Sequence, residues 1–247
     1  RKPQRIFVNS MSDLFHAGVP DEFIADVWAV MGLSHHTFQV LTKRPARMRS
    51  LVSSATFREL VRERTSRRCG THQRSDLAVC PVCRMNTTGN CSEETVERWP
   101  FPNVLLGVSV EDQKRADLRI PALLDTPAAV RFLSCEPLLG SVDLTPWSLM
   151  IRGDARDRRP AINWVIIGGE SGPGARPLDI EWVRSLVEQC EHAAVAAFVK
   201  QLGSVWATAW THNGEAVALH DPKGGDPKYW PRALRVREFP TIAAASA

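Results

Sequence analysis

The sequence predicts an α/β fold, a parallel (βα) barrel or partial barrel with a small four-cysteine insert. Two observations carry the fold class. Short apolar, β-branched runs recur along the chain, each followed by a polar cluster and then by a stretch of helical periodicity. These runs lack polar alternation, as expected of strands covered on both faces in a parallel sheet. A third observation adds the insert: four of the six cysteines crowd one segment that is poor in apolar residues.

The elements follow in order. Ile6 to Val8 is a strand leading into Asn9-Ser10-Met11-Ser12-Asp13, and Pro20 to Gly32 follows as a helix with Phe23, Val27, Val30 and Met31 on its apolar face. Phe38 to Leu41 leads into Thr42-Lys43-Arg44-Pro45, then into helix through Met48 and Leu51 and, after a break, from Phe57 to Arg64. Val104 to Val108 ends in Ser109-Val110-Glu111-Asp112 before a helix from Gln113 to Leu124. Val130 to Leu133 ends in Ser134-Cys135-Glu136-Pro137, and Trp164 to Ile167 ends in Gly168-Gly169-Glu170-Ser171-Gly172. Ile180 to Ala193 is a helix, and Ala197 to Val199 is the sixth strand, ending in Lys200-Gln201. The barrel core is thus expected over 1–203, interrupted by the cysteine-rich insert at 66–99, with a loop-rich closing segment at 204–247 holding Trp206, Trp210, Tyr229 and Trp230. Those aromatics suit packing across the end of the barrel, or stacking on a base.

Composition narrows the function classes. The chain has 247 residues, with 31 Lys+Arg against 27 Asp+Glu and a net charge of +4. It is long enough to bury a core without disulfides. No run approaches the roughly 18 to 20 apolar residues of a membrane span. No basic-then-apolar signal segment follows Arg1, so a cytoplasmic protein is expected, with a start that reads as cut or misplaced. Acids are interleaved with the basic residues except around Arg62, Arg64, Arg67 and Arg68, with Arg74 and Arg84 beyond. That cluster fits either the solvated end of a helix or a patch for nucleic-acid phosphates.

The insert carries Cys69, Cys80, Cys83 and Cys91 as C-x10-C-x2-C-x7-C. A C-x-x-C turn can aim two thiolates at one ion, and two further cysteines complete a tetrahedral sulfur site. Structural zinc would supply the stability that burial cannot provide there. Reduced or redox-active thiols and an iron–sulfur site fit the same residues. Cys135 and Cys190 lie in apolar strand and helix contexts, where a buried free thiol is expected.

Each of the six strands ends in charged groups. In β/α barrels the loops at the carboxyl ends of the strands build the active site. Here those ends carry Ser12, Asp13, Lys43, Arg44, Glu111, Glu136, Glu170 and Lys200, with Gly168 and Gly169 beside Glu170. Any one of them suits a cap or a salt bridge; their recurrence on six successive units points to a small-molecule cofactor or substrate at the barrel mouth. Glycines after a strand let the backbone approach a ligand, with Arg176 as a nearby counter-charge, or they simply make the turn. Neither a dinucleotide-binding fingerprint nor a P-loop is present, and the pair His35-His36 stands before a strand rather than after one.

Six motifs in order, Phe7 to Phe15, Val40 to Pro45, Leu106 to Glu111, Ser134 to Gly140, Gly168 to Pro177 and Phe198 to Gln201, resemble an uncharacterised phage-associated family found in mycobacteriophages, prophages and many bacteria. The resemblance runs from Arg5 to about Pro240 and implies a radical-SAM-like barrel. Complete members carry an upstream three-cysteine segment ending in C-x-x-C-Y-A, which looks like the ligand set of a [4Fe–4S] cluster that cleaves S-adenosylmethionine. This sequence begins after the place where that segment would lie, and it adds the four-cysteine insert. The resemblance therefore implies S-adenosylmethionine and a [4Fe–4S] cluster for a complete form only. Gly168-Gly169-Glu170 resembles the motif by which radical SAM enzymes hold the amino group of the cofactor. The alternative expectation is a catalytically inactive barrel that binds nucleic acid or protein through a zinc-held insert.

Overall fold

The structure is a computed structural model and describes residues 2–69, 99–148, 151–152, 159–209, 211–212, 215–216 and 220–242. Cys80, Cys83, Cys91, Arg74, Arg84 and Trp210 lie outside the described residues.

One sheet holds six parallel strands: β1 (Arg5–Val8), β2 (Thr37–Thr42), β3 (Val104–Ser109), β4 (Val130–Cys135), β5 (Trp164–Gly168) and β6 (Ala196–Gln201). Their order across the sheet is their order along the chain. In the parallel registers Arg5 lies opposite Thr37, Phe132 opposite Trp164 and Ile166 opposite Phe198. Sequential order means that each crossover advances in the same direction, as in a β/α barrel, whereas a doubly wound sheet reverses at a switch point. Because β1 and β6 are the two ends of the order, the sheet takes the partial-barrel form of the expectation.

The helices are α1 (Asp21–Gly32), α2 (Pro45–Val52), α3 (Ala55–Cys69), α4 (Gln113–Leu124), α5 (Ile180–His192) and α6 (Ser204–Ala209). The buried face of α1 differs from the expected one. Ile24, Ala25, Trp28, Ala29 and Met31 are buried, while Phe23 is 54% and Val30 46% exposed. The expected face centred on Phe23 and Val27; burial of the larger Trp28 indole rotates it by about one residue. α3 also runs further than its apolar residues indicated. Its last turn carries Arg67 and Arg68, which suit the negative end of the helix dipole.

The chain divides into two compact units. The first comprises Arg1–Gly107, Ala122–Val130 and Ile242–Ala247. Its core is a run of edge-to-face aromatics, with ring centroids 5.8 Å apart for Phe15 and Trp28, 5.9 Å for Trp28 and Phe57, and 6.2 Å for Phe57 and Trp99. The loop between β1 and α1 is fixed by Arg47, which donates to the carbonyls of His16 and Val19 and pairs with Asp21 at 2.7 Å.

The second unit comprises Val108–Pro121 and Arg131–Thr241. Phe132, Leu133, Val165 and Ile167 are fully buried, and α5 packs on β5 and β6 with Val183, Leu186 and Cys190 buried, as strands covered by helices require. Asp179 caps α5 by accepting from the Glu181 N–H at 2.9 Å. Among its described residues, part of the closing segment packs along β6. Val199 N–H donates to the Val236 carbonyl and Glu238 N–H to the Ala197 carbonyl, so residues 236–238 run antiparallel along β6. Trp230 is buried, donating to the Gly224 carbonyl at 2.8 Å, and Phe239 packs its ring, tilted, against Trp164 and Phe198.

Candidate binding site at the strand carboxyl ends

In the first unit, Asp13 is the hub. Its carboxylate accepts from the Thr42 hydroxyl at 2.8 Å, the Phe15 N–H at 2.9 Å, the Lys43 N–H at 3.0 Å and the Arg44 guanidinium at 2.9 Å. Burial pushes the Asp13 carboxyl up, but together the hydrogen bonds from Lys43, Thr42, Phe15 and Arg44 hold it below the ordinary range. Asp13 therefore ties the β1–α1 loop to the end of β2 with its acceptor sites engaged. Arg44 is spent on the same carboxylate, Lys43 contributes its backbone here while its side chain is exposed, and Ser12 is an exposed turn residue. The sequence did bring these residues together, but as a brace.

In the second unit the ends of β3 to β6 are laced by backbone hydrogen bonds. Leu139 N–H donates to the Glu111 carbonyl, Leu138 N–H to Gly168, Gly169 N–H to Gln201, and Ser204 N–H to Glu170. Along that edge each expected glutamate has a cation. Glu111 pairs with Arg119 at 2.7 Å, with both side chains nearly buried, and Arg119 also donates to the Ser109 carbonyl. Glu170 is held by Arg176 through the two guanidinium nitrogens and the backbone N–H, all at 2.8 Å. The side-chain and backbone hydrogen bonds from Arg176 lower the Glu170 carboxyl to about 2.

Glu136 differs from both. Lys200 reaches it from β6, across β5, with Nζ 2.9 Å from each carboxylate oxygen. The Lys200 side chain is 52% exposed while that of Glu136 is 20% exposed, so a half-buried carboxylate faces an open cation. Gly168 lies between them in the sheet order, and a Cβ there would come 3.2 Å from Glu136 Cγ. Gly168 is thus bare because Glu136 occupies the space. Gly169 has a different reason. A Cβ there would meet the Leu202 carbonyl at 2.4 Å, so this glycine serves the close approach of two loops.

Sequence reasoning missed Thr42, Arg119 and Gln201. Thr42 is buried in a strand and reads as a β-former; Arg119 reads as one more helix-surface arginine. The Gln201 side chain is buried and donates to the Gly169 carbonyl at 3.0 Å, which locks the loop after β5 to β6. An arginine eight residues after Glu111, two turns into α4, was the one signal for the Glu111 pair.

The two described thiols outside the insert do not suit a metal. Burial raises Cys135 far above the usual thiol range and Cys190 to about 12, so neither supplies a thiolate. Among the described residues no group of three His, Cys, Asp or Glu side chains could hold an ion. The arginine run on α3 is met by acids: Arg62 by Glu59, Arg67 by Glu63, and Arg64 and Arg68 by Asp26. Such pairs are what the solvated end of a helix was expected to make, and Arg74 and Arg84 of the same run lie outside the described residues.

A family model described as Protein of unknown function (DUF5131) matches residues 1–226. The chain belongs to this family. The DUF5131 match takes in the six strands, the Asp13 brace and the Glu136–Lys200 pair, and it ends within the closing segment. No curated protein and no solved structure matches the chain. Among the described residues no helix is long and apolar enough to cross a membrane.

Proposed function

We propose that the carboxyl-end edge of β3 to β6 binds a small zwitterion of the α-amino-acid type, with its ammonium on Glu136 and its carboxylate on Lys200. The Glu136–Lys200 pair supports this reading. A ligand carrying only an anion would draw Lys200 away and leave the half-buried Glu136 without a counter-charge, which is costly. A zwitterion exchanges one ion pair for two and leaves no charge alone. The pair is open to solvent on its lysine side, so Lys200 can turn to the ligand carboxylate as the ligand ammonium takes its place at Glu136.

S-adenosylmethionine, implied by the resemblance to the phage-associated, radical-SAM-like proteins, carries such a group at its methionine end. Bound there, it would supply an activated sulfonium next to the strand ends. In this reading Glu136 orients the ammonium, Lys200 holds the carboxylate and Gly168 leaves room for Glu136. Glu170, held through both oxygens by the Arg176 guanidinium, and Glu111, paired with the nearly buried Arg119, shape the edge rather than contact the ligand. Cys135 and Cys190, buried free thiols, are not ligands in this reading, and no step is routed through a [4Fe–4S] cluster.

Isothermal titration with S-adenosylmethionine tests the assignment. Glu136→Gln and Lys200→Met each weaken binding roughly tenfold or more if they hold the ligand's charges. Unchanged affinity in both would remove the site.

A further inference from the structure

Away from the strand carboxyl ends, at the start of β6, the second unit has a groove of about 370 Å³ between α5 and the closing segment. Its floor is apolar, formed by Val187, Val195, Ala197, Leu234 and Val236. Around it stand Glu188 and Glu191 from α5 and Glu238 from the closing segment. Spacing explains the α5 side: Arg184, Glu188 and Glu191 are i, i+4 and i+7 on one helical face. Arg184 turns to Glu181 at 3.2 Å. The three glutamates have no ion pair among the described residues, in a chain whose net charge is +4.

We propose that this groove docks an extended segment of a partner protein in which lysine or arginine alternates with apolar residues. The apolar floor takes the apolar side chains and the glutamates take the cations. Its volume, near the low end of the roughly 300–1,000 Å³ of small-ligand pockets, admits side chains rather than a whole helix. The chain's own residues 243–247 carry no cation and do not match the rim.

Fluorescence polarisation of a labelled Leu-Lys-Leu-Arg-Leu peptide against the full chain tests the proposal. Saturable one-to-one binding is expected. It weakens roughly tenfold or more in the Glu188→Lys, Glu191→Lys double variant, and also when norleucine replaces the two cations or glycine the three leucines. S-adenosylmethionine affinity stays that of the unaltered chain in the double variant, which separates this groove from the strand-end site. The proposal is overturned if the double variant binds the peptide as the unaltered chain does, or if the glycine peptide binds equally, which would mean general attraction to surface acids. A change in sedimentation without peptide that the double variant abolishes would assign the groove to a second copy instead.

Discussion

Glu170 and Glu136 are both glutamates at strand ends, yet their partners give them different work. Arg176 encloses Glu170 with three hydrogen bonds, whereas Lys200 meets Glu136 from an exposed position. A carboxyl lowered from an ordinary 4.5 to about 2 stabilises the folded loop above pH 4.5, and the contribution is lost as pH falls toward 2. An NMR titration of the Glu170 side chain should therefore give a midpoint near 2, and Arg176→Met should restore an ordinary one; a midpoint near 4.5 in the unaltered chain would break this account. Gly168 gives a second residue-scale prediction. Gly168→Ala sets a methyl 3.2 Å from Glu136 Cγ, a contact relieved by a small shift of that side chain, so S-adenosylmethionine affinity should fall, by less than in Glu136→Gln, while the thermal midpoint moves little. If affinity is unchanged, Gly168 does not set the position of Glu136.

At the scale of the element, strands were legible and faces less so. Runs such as Val104 to Val108 and Val130 to Leu133 announce themselves because both faces of a central parallel strand are buried, and the structure lengthens each by one or two residues. The buried face of α1 was read wrongly because Phe23 and Val30 are as apolar as the residues that are buried, so periodicity alone could not rank them. The strand-end residues were legible as a set, since charged clusters recur after each strand. Their roles were not, because a hydrogen bond such as Thr42 to Asp13 joins residues 29 apart. Asp13 belongs to this scale, as it joins a loop to a strand. Asp13→Ala should destabilise the fold by about 2 kcal/mol, in keeping with the loss of charge-assisted hydrogen bonds, as read by urea denaturation. Asp13→Asn should cost less. A stability unchanged in Asp13→Ala would mean that the brace holds nothing.

For the whole molecule, the sequential six-stranded parallel sheet agrees with the α/β partial barrel read from the sequence. The cysteine insert stays a proposal drawn from composition. Elemental analysis should find about one zinc per chain, lost in Cys80→Ser and Cys83→Ser, and an equally stable metal-free protein would reject it. The central claim is that one edge of the sheet recognises both charges of a zwitterion through Glu136 and Lys200. Its most direct measurement compares the affinity of the full chain for S-adenosylmethionine with its affinity for the N-acetylated and the methyl-esterified derivatives. The account predicts that each derivative, having lost one charge, binds roughly tenfold or more weakly; equal affinity for all three would contradict it.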